Sequence, residues 1–527
     1  MSKAIKLAKT STKGGFNLFW GVAASSIITA LGVILVARML SPAEYGLVTI
    51  ALIAPSLIQI IRDLGIDQAT IKYTAQYNQE NKPAQIKNIL AAEITFELIL
   101  GLVLSVASYL LSGFLATSIF NRPEIISLLQ IASFNIFGHA LFKASQSAFT
   151  GYEKMEYHSA ILIIQSVLRA GLMILLVLLG LGVYGAILGT TLAFLVTGAI
   201  SIIVLYITVY RKLQNNKAGK LEIVATIKGM LKFGLPLSLS MILNGFLIQF
   251  YSFLIAIYLS DQIVGNYQAA INFSVLITFF VTPVTTILFP VFSKINPQKE
   301  PETLQSVFAS SVKYTALLVA PATCMVMALA QPAVSTIFGA KYEFTPLYLA
   351  LYVIIFLYAG FGRLSATNLL KGQGKTKFQL KLTILTSIIG IVLSITLIPH
   401  FGVIGLIATN LISVIPSLII GLRYIKKRYN ATINWASSVK ILSASIIAAA
   451  ITYAVVSVLC FANWVNLIIG TAIFLATYLV TAPLIGAISH VDIKNLKEML
   501  KALGPLAPIF DIPLYVIERL IAIFQKA

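Results

Sequence analysis

Residues 183–210 read VYGAILGTTLAFLVTGAISIIVLYITVY, 28 residues without a charged side chain, closed by Arg211 and Lys212. About 20 apolar residues cross a ~30 Å hydrocarbon layer as a helix. This stretch therefore predicts a membrane span with a basic end. Stretches of the same kind precede it near 16–38, 44–62, 88–113, 124–149 and 157–180. Others follow near 234–258, 264–292, 306–331, 346–370, 379–398, 402–424, 440–460 and 464–488. The expected fold is an all-α integral membrane protein of about fourteen transmembrane helices. Composition agrees: 58% of the 527 residues are hydrophobic and 11% charged, against roughly 45–50% and 25% in soluble domains.

The charges set an orientation. With both ends in the cytoplasm of a cell-membrane protein, 33 of the 38 Lys and Arg fall in cytoplasmic segments or their flanks. Arg38, Arg122 and Lys341 fall outside, and Arg169 and Arg363 fall within spans. This is the positive-inside bias. It accounts for the net charge of +20 through topology and anionic inner-leaflet lipids, with no nucleic-acid partner. Lys3, Lys6, Lys9 and Lys13 precede a span too long for the apolar core of a signal peptide. Cys324 and Cys460 read as small buried hydrophobes, and the four histidines lack metal-ligand spacing. No metal or cofactor is expected.

The chain repeats itself. Ser41-Pro-Ala-Glu-Tyr-Gly46 is echoed by Ser260-Asp-Gln-Ile-Val-Gly265, Gly151-Tyr-Glu-Lys154 by Gly372-Gln-Gly-Lys375, and Gly182-Val-Tyr-Gly by Gly402-Val-Ile-Gly, at offsets of 219, 221 and 220. Six spans per repeat make two parallel six-helix lobes, a plan in which transport sites lie between the halves near mid-membrane. The expected organisation is an N-lobe over 1–210, a basic linker over 211–232 and a C-lobe over 233–430. Two extra helices follow over 431–489, then an interfacial amphipathic tail over 490–527.

Several chemistries have no place here. Segments between spans reach only about 25 residues, too few for an ATPase or a glycosyltransferase domain. Gly374-Lys375-Thr376 lacks the earlier glycine of a phosphate-binding loop, since Leu369 stands there. The expectation is a non-enzymatic chain: a secondary transporter, a flippase or a membrane scaffold.

Ionisable groups at membrane depth cost roughly 2.5–3.5 kcal/mol each and tend to mark function. Arg169 lies near the middle of span five and Arg363 within span ten, which the repeat assigns to opposite halves. Arginine holds phosphate oxygens bidentately; the alternative for each is a buried guanidinium capping carbonyls or pairing with an acid. Arg62, with Asp63 and Asp67, ends span two. Glu93 and Glu97 sit one turn apart on span three, either pairing with Arg62 or holding a coupling cation. Lys143 and Lys313 read as side chains reaching for the interface. Asn17, Asn244, Gln249, Tyr267, Gln268 and Asn272 line a sugar-sized cleft or hydrogen-bond between helices. Prolines 55, 236, 283, 290, 321 and 416 fall in or at the ends of spans and permit bends.

The segment Ala37-Arg-Met-Leu-Ser-Pro-Ala-Glu-Tyr-Gly46, leading to Asp63-Leu-Gly-Ile-Asp-Gln-Ala69, resembles the opening of polysaccharide-biosynthesis flippases. These are the Wzx-type members of the multidrug/oligosaccharidyl-lipid/polysaccharide (MOP) exporter superfamily. Gly265-Asn-Tyr267 with Ala269-Ala270, Phe289-Pro290 with Ser293, and Gly402-Val-Ile-Gly405 agree, and the tail from Val491-Asp492 is similar to archaeal members. The resemblance implies movement of a polyprenyl-(pyro)phosphate-linked oligosaccharide to the outer leaflet by alternating access. The expected partners are membrane lipids and glycan-assembly enzymes, and two self-sufficient lobes make a monomer the simplest expectation. In the related lipid II flippase, basic residues on spans one, two and eight bind pyrophosphate, and spans thirteen and fourteen form a groove for the lipid tail. Span two here offers Arg62, but spans one and eight carry no basic residue inside the membrane. Arg169 and Arg363 are the expected substitutes. The competing readings are a cation-coupled multidrug exporter of the same superfamily and a non-transporting scaffold for glycan assembly.

Overall fold

The computed structural model describes the backbone of residues 3–62, 64–213, 222–489, 492–493 and 518. Side chains are described from Leu18 on, Phe19, Ile61 and a few positions between 236 and 287 excepted. Among the described residues every regular element is helical. Among the described residues nine helices are long and apolar enough to cross a membrane, or ten if the bent pair Thr345–Ala359 and Arg363–Gly372 counts as one span.

Two of the nine are too long for one crossing. Met155–Leu213 has 59 residues and Thr376–Tyr429 has 54, about 80–90 Å of helix at 1.5 Å per residue. Each folds back on itself. Gly185 lies against Leu176, Gly189 against Met173, and the Lys154 ammonium donates to the Thr208 carbonyl at 3.1 Å. In the second hairpin Thr386 donates to the Ser417 hydroxyl at 2.8 Å, and the rings of Phe378 and Tyr424 stack at 4.1 Å. The turns fall at Gly182 (φ 49°, ψ −126°) and Gly402 (φ 56°, ψ −133°). A side chain is excluded from that region of backbone space. Both glycines come from one motif of the internal repeat, and other left-handed residues pair the same way. Asn121 (φ 52°) matches Gly339 (φ 90°), and Glu153 (φ 59°) matches Gly374 (φ 69°).

The chain divides into two compact units, residues 1–272 with 394–402, and 273–393 with 403–527. The first contains α1 (Lys3–Met39), α2 (Pro42–Arg62), α3 (Ile66–Gln79), α4 (Pro83–Phe114), α5 (Ile126–Gly151), α6 (Met155–Leu176), α7 (Gly182–Leu205), α8 (Ile223–Tyr258) and α9 (Asp261–Phe273) up to Asn272. Helix α5 is central, packed by α2, α3, α4 and α7. Small residues on its faces, such as Ala132, Ser133, Ala140, Ala144 and Ala148, let those neighbours approach. Helices α1 and α6 meet along a small, polar seam where Ser166 bonds Ser25 at 2.6 Å and Thr29 at 3.2 Å.

The second unit holds α10 (Val275–Lys294), α11 (Pro301–Ala328), α12 (Arg363–Gly372), α13 (Thr376–Tyr429) apart from residues 394–402, α14 (Trp435–Val458) and α15 (Asn463–Leu484). Helices α14 and α15 pack on α11 around Ala316, Ala320, Ile441, Ala444 and Phe474. A second core joins α10, α11, α12 and the ends of α13 through Phe292, Phe308, Leu369 and Ile425.

The structure departs from the sequence reading in four respects. A 14-residue helix, α3, stands between the second and third spans; it escaped because polar residues such as Gln68, Lys72 and Gln76 interrupt its apolar face. The expected continuous span 346–370 is broken, with a bend of 49° and Gly362 at φ 79°. Arg363 therefore begins a helix instead of lying inside one. The sharp breaks fall at glycines, while α2 and α11 continue through Pro55 and Pro321. Cys324 is buried as expected, but Cys460 is exposed, just beyond the end of α14. Of the amphipathic tail, all but Asp492, Ile493 and Glu518 lies outside the described residues.

Candidate functional site

The first unit keeps an unusual number of polar side chains inside an apolar helix bundle. They fall into groups near the two ends and along the side of α2.

At its start, Ser41 and Glu44 form a capping box: the Ser41 N–H donates to Glu44 Oε2 at 2.7 Å, and the Glu44 N–H to Ser41 Oγ at 3.2 Å. The box fixes the entry of α2, and the next residue, Tyr45, points into the bundle, 5% exposed. Asn272 donates to the Tyr45 hydroxyl at 2.6 Å, and Gln268, one turn earlier on α9, donates to Asn272 Oδ1 at 3.3 Å. The charge of Arg169, on α6, acts on Tyr45, and its Nε is buried without a hydrogen-bond partner. One guanidinium with spare donor capacity thus shares a site with two amides and a phenol. Together they suit phosphate oxygens beside sugar hydroxyls.

The start of α2 also meets the start of α9 closely. A methyl at Gly46 would run into the Asp261 carbonyl, and one at Gly265 into the Pro42 carbonyl. Only hydrogen fits at either position, which explains this first pair of repeat motifs. Beside them Arg122 uses four of its five N–H donors. It bonds Asp261 Oδ1 at 2.6 Å and the carbonyls of Phe120, Ala256 and Leu259 at 2.9, 2.6 and 2.7 Å. It ties the loop before α5 to the end of α8 and the start of α9.

The other end of α2 is charged. Arg62 is 2% exposed, ion-paired to Glu97 of α4, and 3.3 Å from His139 Nδ1 of α5. A guanidinium can only donate, so Nδ1 accepts and the imidazole is neutral with its proton on Nε2. Lys143, one turn along α5, lies 3.7 Å from Asp67 of α3. Glu93 is 1% exposed, and neither carboxyl oxygen has a hydrogen-bond partner. The hydroxyls of Thr70 and Ser147 approach it without reaching hydrogen-bond geometry. Ser147 instead donates to the Lys143 carbonyl at 3.1 Å.

Of the expected site residues, the structure brings Gln268 and Asn272 together with Arg169. It joins Arg62 to Glu97 and leaves Glu93 out of that pair. Tyr267 is buried on α9, Asn244 is exposed and Gln249 half-buried on α8, and the side chain of Asn17 lies outside the described residues. Arg363, in the second unit, begins α12 beside Tyr352 and Tyr358, and Tyr358 donates to the Leu411 carbonyl at 3.0 Å. Lys143, 39% exposed at its side chain, is within ion-pair distance of Asp67. Lys313 likewise bonds Asp492 at 2.5 Å. Sequence reasoning missed Tyr45, Thr70 and His139. Tyr45 sits inside the repeat motif Ser41–Gly46, whose recurrence was its only signal.

Comparison with known proteins identifies relatives of this arrangement. A family model described as polysaccharide biosynthesis protein matches residues 35–347. The lipopolysaccharide biosynthesis protein WzxC of Escherichia coli is 25% identical over 335 residues, 62% of this chain and 63% of that protein. The probable low-salt glycan biosynthesis flippase Agl15 of Haloferax volcanii is 23% identical over 256 residues, 47% of this chain and 53% of that one. The match thus spans between about half and two thirds of these relatives' lengths. In fold, the lipid II flippase MurJ in an inward closed conformation superposes with a TM-score of 0.70 at 16% identity, covering 88% of this chain and 97% of that one. An inward-facing MATE multidrug transporter of the MOP superfamily gives 0.64 at 18% identity, over 76% and 95%. The fold is the MOP type.

Proposed function

The chain belongs to the polysaccharide biosynthesis protein family, and from that premise we propose that it flips a polyprenyl-(pyro)phosphate-linked oligosaccharide from the cytoplasmic to the outer leaflet by alternating access. In this reading fourteen spans form two parallel six-helix lobes and two added helices, with both ends in the cytoplasm of a cell-membrane protein. The molecule works as a monomer and catalyses no covalent step.

One observation carries the proposal: Arg169, Tyr45, Gln268 and Asn272 gather in one place inside an apolar bundle. A drug exporter for organic cations has no use for a guanidinium with a free donor. A phosphate-linked sugar uses all four groups, the arginine for phosphate oxygens and the amides for hydroxyls. Arg62 is already paired with Glu97, so the phosphate falls to Arg169, with Arg363 as its counterpart in the other lobe.

The experiment is flipping of a labelled polyprenyl-pyrophosphate oligosaccharide in proteoliposomes, wild type beside Arg169→Ala, Arg363→Ala and Asn272→Ala. Loss in Arg169→Ala of at least about tenfold, equivalent to ~1.4 kcal/mol, is expected for a lost charged hydrogen bond. Transport that survives both arginine substitutions rejects the site and keeps the flippase. Absence of transport by wild type with several glycans redirects attention to the exporter and scaffold readings.

A further inference from the structure

We propose that the Glu93 carboxyl is a binding site for one monovalent cation, a proton or a sodium ion, enclosed by α3, α4 and α5. The argument is a charge count among the described residues of a buried cluster. Three acids stand together, Asp67, Glu93 and Glu97, all no more than 5% exposed. Two cations answer them: Arg62 is paired with Glu97 and Lys143 lies 3.7 Å from Asp67. His139 adds no charge, because its Nδ1 accepts from Arg62. One negative charge is left over, and it falls on Glu93.

The groups around Glu93 do not neutralise it. Its charged neighbours are Asp67 and Lys143, of opposite sign. The hydroxyl of Thr70, on α3, is buried and itself lacks a partner. Ser147 gives its proton to a backbone carbonyl. A buried carboxylate without a donor is among the costliest groups a bundle can hold, and it is avoided by binding a positive charge. The hydroxyls of Thr70 and Ser147 and the carboxylate of Asp67 bring oxygen to Glu93, which suits a proton or a hard cation such as sodium. Lys143, at the edge of the cluster, is 39% exposed at its side chain although Asp67 beside it is buried.

Filling and emptying the site changes the cluster from neutral to one net negative charge. Emptied, Glu93 competes with Asp67 and Glu97 for Lys143 and Arg62. Because α2, α3, α4 and α5 all contribute, the cation biases how these helices pack. The coupling of that bias to transport rests on the flippase reading; the binding does not.

The test is labelling by dicyclohexylcarbodiimide, which modifies protonated carboxyl groups in apolar surroundings, read by mass spectrometry on the purified chain in nanodiscs. In sodium-free buffer the Glu93 peptide is expected to label, with labelling falling about tenfold per pH unit once the group ionises. A further fall on adding sodium at fixed pH, not matched by choline, assigns the site to sodium; pH alone assigns it to a proton. No labelling of Glu93 at any pH in sodium-free buffer overturns the proposal, since the carboxylate is then ionised and satisfied by the protein. Glu93→Gln supplies a second reading: a neutral isostere should keep the wild-type Tm, whereas Glu97→Gln should lose several degrees. Equal losses in both would also overturn it. In proteoliposomes Glu93→Gln should abolish stimulation of flipping by an imposed ion gradient while leaving gradient-independent flipping. If wild type flips nothing, the flippase reading fails and the labelling result stands by itself.

Discussion

The two ends of α2 solve the problem of a buried arginine in opposite ways. At the start, Arg122 has four acceptors within 2.9 Å, and the helices around it approach closely enough that Gly46 and Gly265 have no room for a methyl. Every donor direction used there ends on a carbonyl or on Asp261. At the far end Arg62 pairs with a carboxylate beside an imidazole, and among the described residues the surrounding cluster has more acid than base and a carboxyl without a hydrogen-bond partner. A satisfied network holds a shape; an unsatisfied one waits for something the chain does not contain. The first end reads as a clamp and the second as a site.

The largest test of that contrast is Arg62→Ala. It strands Glu97 in a cluster that already lacks one positive charge, and breaking a buried pair costs about 3–5 kcal/mol. The double variant Arg62→Ala/Glu97→Ala should cost less than Arg62→Ala alone, because it removes the stranded charge. Unfolding in detergent measures both; additive losses would mean that the pair is not coupled and that the cluster is ordinary.

Arg122→Ala comes next. Its guanidinium and Asp261 are 12% and 25% exposed at their side chains, so water reaches what is left behind. A loss of about 1.5–3 kcal/mol, the range for charged hydrogen bonds, is expected. Arg122→Lys should recover the Asp261 pair but not the three carbonyls, and so lie between. A lysine as stable as the arginine would show that charge alone matters and would weaken the clamp reading.

Gly265→Ala probes the same clamp through sterics. The added methyl meets the Pro42 carbonyl, and relieving such overpacking costs about 1–3 kcal/mol. Gly46→Ala should behave alike, since it meets the Asp261 carbonyl in the mirror position. A large effect at only one of the two would break the equivalence of the repeats at this contact.

These residues also show what could be read beforehand. The hairpin breaks at Gly182 and Gly402 were legible because apolar runs twice the membrane thickness must turn, and a repeated glycine marks where. Glu93, Glu97, Arg62 and Arg169 were legible because charge inside an apolar run is rare. Which of them pair was not, since one turn of α4 separates two chemically identical carboxyls and only packing tells them apart. Helix α3 supplies Asp67 and Thr70 from a stretch whose polarity hid it among loops. Tyr45 looks like any interfacial tyrosine until Asn272, 227 residues away, is seen to donate to it. The clamp of Arg122 was invisible for the same reason, because its acceptors are mostly backbone carbonyls, which no sequence distinguishes.

The smallest effect comes from a carboxylate that resembles Glu93 in burial class but not in surroundings. Asp492 lies outside the spans, in the second unit. Burial by itself would raise its pKa, but hydrogen bonds from the Lys313 ammonium at 2.5 Å and from the Ser489 hydroxyl and N–H at 2.6 and 2.8 Å hold it below the usual aspartate range. A carboxyl lowered on folding stabilises above its unfolded pKa, near 3.9, and loses that contribution as pH falls through the folded value. Between neutral pH and about pH 5 the contact should therefore not respond. Below that it should weaken, by less than about 1 kcal/mol for a pair partly open to water, and Lys313→Ala should reduce the effect. Hydrogen exchange at Ser489 and Asp492 across that range measures it. A group with these three donors titrates only in acid; Glu93 has no hydrogen-bond partner, and its labelling should follow the cation instead. If the two carboxyls respond over the same pH range, donor count does not govern this chain's acids, and the distinction between clamp and site fails with it.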